Sequence, residues 1–261
     1  FCHRHQEKAP PMKKLIYLTL GLALACSAPK SDQQTFSGAQ RDSLFQEDVL
    51  PKEEASSLSD LEGSFQEQGL VDIEQEIPGI QVELKYSTED NFFKQDVYGD
   101  LTRCYLQPVA AAMLAKAQKA LQKEYPNLSL LVYDGVRPIR VQQILWDGLD
   151  KPDSLKPLYV SDPKIGGLHN FGVAVDLSIL DLKTGKALDM GTPFDYFGYP
   201  AYPDRELQML AEKKITKAQV ANREILRKVM KGAGFTGIGS EWWHFNAFSR
   251  KEAGEKFALI Q

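Results

Sequence analysis

Gly166-Gly167-Leu168-His169-Asn170-Phe171-Gly172-Val173-Ala174-Val175-Asp176 is the stretch around which the chain is organised. Val173 to Leu180 reads as a buried strand, entered from a glycine-rich segment that carries one histidine and one aspartate. His169 and Asp176 lie seven positions apart. On one straight strand they would face opposite ways and sit ~23 Å apart, at about 3.3 Å per residue. Both can serve one site only if the chain turns between them. Asn170-Phe171-Gly172 is the natural place for that turn, because glycine tolerates strained backbone dihedrals.

The histidines narrow the choice of partner. There are four in 261 residues: His3, His5, His169 and His244. The first two precede or border a leader. Met12-Lys13-Lys14 has the charge of a signal n-region, Leu15 to Ala25 is an apolar core too short to span a bilayer, and Leu22-Ala23-Leu24-Ala25-Cys26 ends in small residues before a cysteine. This resembles a bacterial lipoprotein signal with Cys26 as the lipid-modified residue; an ordinary secretory signal cut near Ala25 is the alternative. On either reading residues 1–25 are removed, with translation starting at Met12, and the chain is exported. Lipidation would anchor it in the cell envelope facing the periplasm. His169 and His244 then remain as the two histidines of the mature chain.

A catalytic zinc takes three protein ligands of the nitrogen or oxygen type and leaves one position open to water. His169, Asp176 and His244 supply that set, with one ion per chain. Glu241 stands three residues before His244 in Glu241-Trp242-Trp243-His244, where a carboxylate can act as general base on metal-activated water. On a helical turn Glu241 and His244 would face the same way, and on a regular strand opposite ways. The two tryptophans argue against a long helix, so an irregular turn or bulge is expected. The plainer alternative is a pair of unrelated core or surface histidines. Arg137 follows a buried apolar run and precedes Pro138; it either holds a developing oxyanion or pairs at the surface with Asp134.

The remaining sequence bounds the fold. Composition is that of a globular domain, 43% hydrophobic, with a formal net charge of −4 and no long basic run, so nucleic acid is not an expected partner. Removing residues 1–25 takes four basic and one acidic residue from totals of 31 and 35, leaving 27 and 34, a net charge of −7. Residues 26–65, rich in Ser, Gln, Asp and Glu, read as a disordered tether, and 66–261 as one domain. Ile80–Tyr86 alternates like a half-buried strand, and Asn91–Leu101 reads as loop. Helices are expected over Val109–Tyr125, Arg140–Leu149 and Ala218–Lys231, the last stopped by Gly232 and Gly234. Leu128–Val132 reads as a buried strand, Asp181–Lys186 as a hairpin turn, and Trp242–Phe248 as a final strand-like segment. Cys104 reads as a buried small hydrophobe, and no disulfide framework is possible in the mature domain. The mixture lacks a βαβ rhythm, which predicts an α+β domain with a central antiparallel sheet flanked by helices.

Taken in order, these motifs resemble the zinc D-alanyl-D-alanine dipeptidases. The family pattern S-x-H-x-x-G-x-A-x-D is met at His169, Gly172, Ala174 and Asp176, Glu-Trp-Trp-His at 241–244, and Asp-Gly-x-Arg-Pro at 134–138. Tyr86-Ser87-Thr88-Glu89-Asp90-Asn91-Phe92 and Met190-Gly191-Thr192-Pro193-Phe194-Asp195 resemble two further blocks, so the resemblance spans about residues 70–250. It implies the fold shared by Hedgehog signalling domains and DD-peptidases. It also implies zinc ligation by His169, Asp176 and His244, a base at Glu241, and transition-state stabilisation by Arg137. Asp195 would receive the free amine of a small dipeptide such as D-Ala-D-Ala, and Tyr86 would line the cavity. Gly167 departs from the pattern's serine, a residue of the substrate cavity; Phe171 stands where arginine is common, and Val136 where an aromatic is. These departures bear on substrate choice. Competing expectations are a carboxypeptidase or endopeptidase acting on intact peptidoglycan stems, and a non-catalytic zinc-containing binding module. Oligomeric state is not fixed by the sequence.

Overall fold

The computed structural model describes residues 58–261. Cys26, the leader and most of the predicted tether lie outside the described residues. The chain begins earlier than its composition suggests. Helix α1 (Asp60–Glu67) falls within the stretch read as disordered up to residue 65, yet Ser59 and Glu62 form a capping box and Phe65 is fully buried. The Glu62 carboxylate, also buried, accepts from Thr102 and Arg103 some forty residues on. Those distant partners give an acidic, serine-rich segment its place.

Strand β1 (Val71–Asp72), helix α2 (Ile73–Glu76) and strand β2 (Gln81–Val82) follow. The strand expected over 80–86 is thus cut to two residues, and Lys85–Ser87 turns into a 3-10 helix. The local alternation is overridden there by tertiary contacts. The Lys85 ammonium pairs with Glu83 and Asp90 at 2.6 Å each, and the Tyr86 ring packs edge-on against Phe92, Tyr98 and Phe194. Residues 91–101 form turns, as expected for a loop.

Strand β3 (Tyr105–Leu106) pairs with β1 in a small ribbon. Helix α3 (Pro108–Glu124) starts with proline in its first turn and buries Ala110, Leu114, Ala117, Gln118 and Leu121 along one face. Its Gln118 accepts from the Leu130 amide and donates to Ser129 Oγ, both at 2.9 Å. That clasp fixes the helix on strand β4 (Leu128–Asp134), which leads into helix α4 (Ile139–Gly148). Strand β5 (Ala174–Asp181) is buried from Ala174 to Ile179, which explains its unbroken apolar run. It turns at Gly185 into β6 (Lys186–Ala187), the predicted hairpin.

After α5 (Glu206–Ala211), helix α6 (Lys217–Gly232) opens with a capping box between Thr216 and Gln219 and packs on α3. Its buried Arg223 donates to the carbonyls of Met190 and Pro200, which anchors the loop between them. Strands β7 (Thr236–Gly237) and β8 (His244–Asn246) and helix α7 (Arg250–Lys256) complete the domain. The strand expected over 242–248 is confined to three residues, because residues 242 and 243 bend.

The main sheet runs β2-β4-β5-β8-β7, with β6 beside β5. It is antiparallel except for the β2–β4 pair, so the fold is the expected α+β with one parallel edge. Two registers decide what the sheet can do. Asp176 stands opposite His244 across β5–β8, and Asp134 opposite Asp176 across β4–β5, beyond a bulge at Val132/Asp134. Cross-strand neighbours share a face, so this row gathers three polar side chains on one side of the sheet.

Candidate metal centre

The turn demanded by the spacing of His169 and Asp176 falls where glycine allows it. Residues 169–171 form one 3-10 turn, closed by Gly172 at φ +70°, after which the chain enters β5. A Cβ at this position would be strained by the dihedral and would also press on Val136, Ile260 and Leu70 at 3.1–3.3 Å. The turn is tied down from within. Asn170 donates to the Arg137 carbonyl at 2.6 Å and accepts from the Gly167 amide at 2.5 Å. His169 is thereby brought over the row formed by Asp176 and His244.

Three atoms converge. His169 Nε2 lies 3.2 Å from His244 Nδ1 and 3.4 Å from Asp176 Oδ1, and the last two are 2.9 Å apart. The outer ring nitrogens are already committed. His169 Nδ1 donates to the Gly135 carbonyl at 2.8 Å, and His244 Nε2 donates to Asn246 Oδ1 at 2.8 Å. In the neutral rings the inward nitrogens therefore present lone pairs, beside a carboxylate oxygen that also only accepts. Such a cluster requires a cation, either a proton or a metal ion. The separations match the edges of a tetrahedron with bonds of about 2.0–2.1 Å, roughly 3.3 Å, so the residues fit a zinc-type centre. Electrostatics agree. Burial alone would lower the His244 pKa, but the hydrogen bond and charge of Asp176, with Glu241 adding, hold it at about 9. Burial would raise Asp176, and the charges and hydrogen bonds of the two histidines outweigh it, holding the carboxylate well below its ordinary range.

Glu241 reaches the same place from a bend rather than a strand, as its spacing required. Its Oε2 is 3.9 Å from His244 Nδ1. The bend is pinned by its tryptophans: Trp242 Nε1 donates to Thr192 Oγ1 at 2.8 Å, and buried Trp243 packs on Phe194. Burial raises the Glu241 carboxyl pKa, helped by the charge of Asp176 and opposed by His244, His169 and Arg137.

Arg137 makes the pair with Asp134 that its spacing allowed. It pairs with Asp134 through Nε at 3.1 Å and Nη2 at 2.6 Å, but the pair is buried, with Arg137 only 9% exposed. Asp134 in turn accepts from Tyr98 and the Gly135 amide. So held, the guanidinium stands over the Tyr86 ring and 4.0 Å from Asp176 Oδ2. Tyr86 donates to Asp195 Oδ2 at 3.0 Å. Asp195 itself sits at φ +58°, a conformation that costs a non-glycine residue about 1 kcal/mol or more. Burial, the charge of Asp176 and that of Glu241 push its carboxyl well above the ordinary range, against the pull of Tyr86 and Arg137.

All seven residues singled out in the sequence for metal, catalysis or substrate line one cavity of about 290 Å³. The sequence reading did not single out the residues that steady them. Asn246 fixes the His244 ring, and its place two residues along the strand from that histidine, on the same face, was a usable signal. Ser161, Gln142 and Arg250 also line the cavity and come from segments with no motif. The departure at Gly167 has a steric cause: a Cβ there would lie 2.8 Å from Ser161 Oγ. Phe171 packs with Val173 and Ala253 in a small apolar cluster. Cys104 is buried, as expected.

Comparison with known proteins accords with this geometry. The sequence profile of a family described as D-Ala-D-Ala dipeptidase matches residues 66–257. A D-alanyl-D-alanine dipeptidase of Escherichia coli K12 is 37% identical over 176 residues, covering 67% of this chain and 83% of its own. Dipeptidases of the same name from Enterococcus faecalis and Streptomyces coelicolor are each 28% identical. They cover 69% and 66% of this chain, and 91% and 88% of their own.

Proposed function

The chain belongs to the D-Ala-D-Ala dipeptidase family of metallopeptidases, and from that premise we propose that it hydrolyses D-Ala-D-Ala or a related wall-derived dipeptide, with zinc held by His169, Asp176 and His244. The observation that carries this reading is the meeting of that lone-pair cluster with a carboxylate, a guanidinium and a second acid in one small cavity.

Zinc bound there supplies a Lewis acid and lowers the pKa of water toward neutrality. The protein's own groups account for the rest. Glu241 takes the proton released as water attacks the peptide carbonyl and delivers it to the leaving amine. Arg137, which Asp134 prevents from swinging away, donates to the developing oxyanion. Asp195, steadied by Tyr86, pairs with the free amino group of the substrate. The cavity carries three carboxyl groups, Asp176, Glu241 and Asp195, so it favours cations, and a substrate ammonium would draw the raised Asp195 pKa back down. A volume near 290 Å³ suits a ligand of dipeptide size.

The test is a substrate panel offered to the zinc-loaded enzyme. D-Ala-D-Ala should be cleaved, and its N-acetylated form should lose at least about a hundredfold in kcat/KM, since the amine that Asp195 receives is gone. Cleavage confined to N-blocked pentapeptides would replace the dipeptidase reading with that of a carboxypeptidase or endopeptidase acting on peptidoglycan stems.

We also infer export and lipid anchoring from the leader read over residues 1–25, just before Cys26, with the domain facing the periplasm. Cells expressing the whole chain with a labelled fatty acid should yield a labelled, membrane-associated protein, and Cys26→Ala should abolish the label. A labelled Cys26→Ala protein, or an unlabelled wild type, would refute lipidation at this residue.

A further inference from the structure

A dipeptide is a zwitterion, and the residues assigned so far meet only one of its ends. Asp195 takes the ammonium. The carboxylate, on the far side of the scissile bond, needs a cation of its own, since Arg137 is assigned to the oxyanion and is held in that place by other bonds. Its Nε and Nη2 are bound to Asp134 and its Nη1 donates to Gln142 Oε1 at 3.3 Å. Apart from the metal-ligand histidines, one other cationic side chain among the described residues lines the cavity, Arg250.

Arg250 stands in the first turn of α7, positioned by the capping box of Ser249 and Glu252. Its guanidinium is exposed and donates through Nη2 to the Ile165 carbonyl at 2.6 Å, with no carboxylate within ion-pair distance among the described residues. One of five N–H donors is thus spent on holding the group in place, and the others are free. The bond to Ile165 ties Arg250 to the segment that continues into Gly167 and Leu168, which line the cavity with Ser161. Ser161 Oγ fills the space that a side chain at 167 would occupy, so a hydroxyl faces the cavity from this wall despite the glycine. Asp195 is held instead by Tyr86, whose ring packs on Phe92, itself in contact with Phe197.

We propose that Arg250, with the Ser161 hydroxyl of the same cavity, is the carboxylate clamp of the substrate site and restricts the enzyme to peptides with a free C-terminus. The proposal rests on the dipeptide reading above. A guanidinium forms bidentate hydrogen bonds to a carboxylate, and the same contact to a neutral carboxamide is weaker.

The test compares D-Ala-D-Ala with its C-terminal amide on wild type, Arg250→Gln and Arg250→Lys, all zinc-loaded. Wild type should show a KM for the free acid about tenfold below that for the amide. In Arg250→Gln that preference should collapse toward unity through a rise in the free-acid KM, with kcat changing by less than about threefold. Arg250→Lys, which restores charge without the planar fork, should fall between. A free-acid preference that survives Arg250→Gln, or a loss that falls equally on both substrates, would overturn the clamp and leave the hydrolysis intact. A wild type that turns over neither substrate would remove the dipeptidase reading and the clamp with it.

Discussion

Glutamine in place of Glu241 should lower kcat on D-Ala-D-Ala by about a thousandfold, within the range of roughly 10²–10⁴ associated with general acid–base catalysis. The substitution keeps shape and volume, so the bend at 239–243 stays pinned by Trp242 on Thr192 and Trp243 on Phe194. What is lost is a group able to carry a proton both ways. The amide can neither accept a proton from attacking water nor pass one to the leaving amine. Glu241 is not a member of the converging triad: its Oε2 lies 3.9 Å from His244 Nδ1, against 2.9–3.4 Å within the triad. Zinc content should therefore remain near one per chain and KM should change little. Steady-state kinetics, metal analysis and thermal unfolding on the same preparation decide the matter. A variant that keeps more than a tenth of the wild-type kcat would remove Glu241 from the proton path. A variant that loses zinc would place Glu241 among the ligands instead.

Which residues the fold brings together in one cavity was legible in the sequence, and the way they are assembled was not. Four histidines, two of them in a stretch that reads as a leader, left little choice of partner for His169. The odd spacing to Asp176 required a turn that the structure places at Gly172. The opposition of Asp176 and His244 is a matter of register between β5 and β8, across a separation of 68 positions that no local pattern constrains. A slip of one residue would put the two on opposite faces and leave no site. The long helices were readable because strong apolar periodicity and stop signals agree, as in residues 108–124 and 217–232. Two errors share one cause, that remote contacts overrode local composition. Residues 60–65 read as tether until Thr102 and Arg103 supply partners for Glu62, and Lys85 and Tyr86 read as strand until Asp90 and Phe194 draw them into a turn. Arg250 carried no signal at all, since only the fold brings α7 to the cavity.

Asparagine at 176 should empty the metal centre while sparing the fold. Asp176 is the one anion among the three converging groups. It lies on a strand whose neighbours on both sides hold it in register, so the near-isosteric change leaves the backbone ladder intact. Removing its charge leaves two neutral imidazoles, a set with too little donor strength to hold zinc against dialysis. Zinc per chain should fall below about a tenth, and turnover with it. Unfolding gives a readout independent of activity. Zinc at a thousandfold excess over its Kd stabilises the native wild type by about 4 kcal/mol, which raises Tm by roughly 10 °C for a domain of this size. The variant should show less than a quarter of that rise. Asn246→Ala separates loss of a ligand from loss of its support. It removes the carboxamide whose oxygen orients the His244 ring and no ligand atom, so zinc affinity should drop about 10–100-fold and activity should return at saturating zinc. If Asp176→Asn recovered in the same way, the carboxylate would be a supporting group, and the third ligand would have to be sought at Glu241, the remaining carboxylate beside His244.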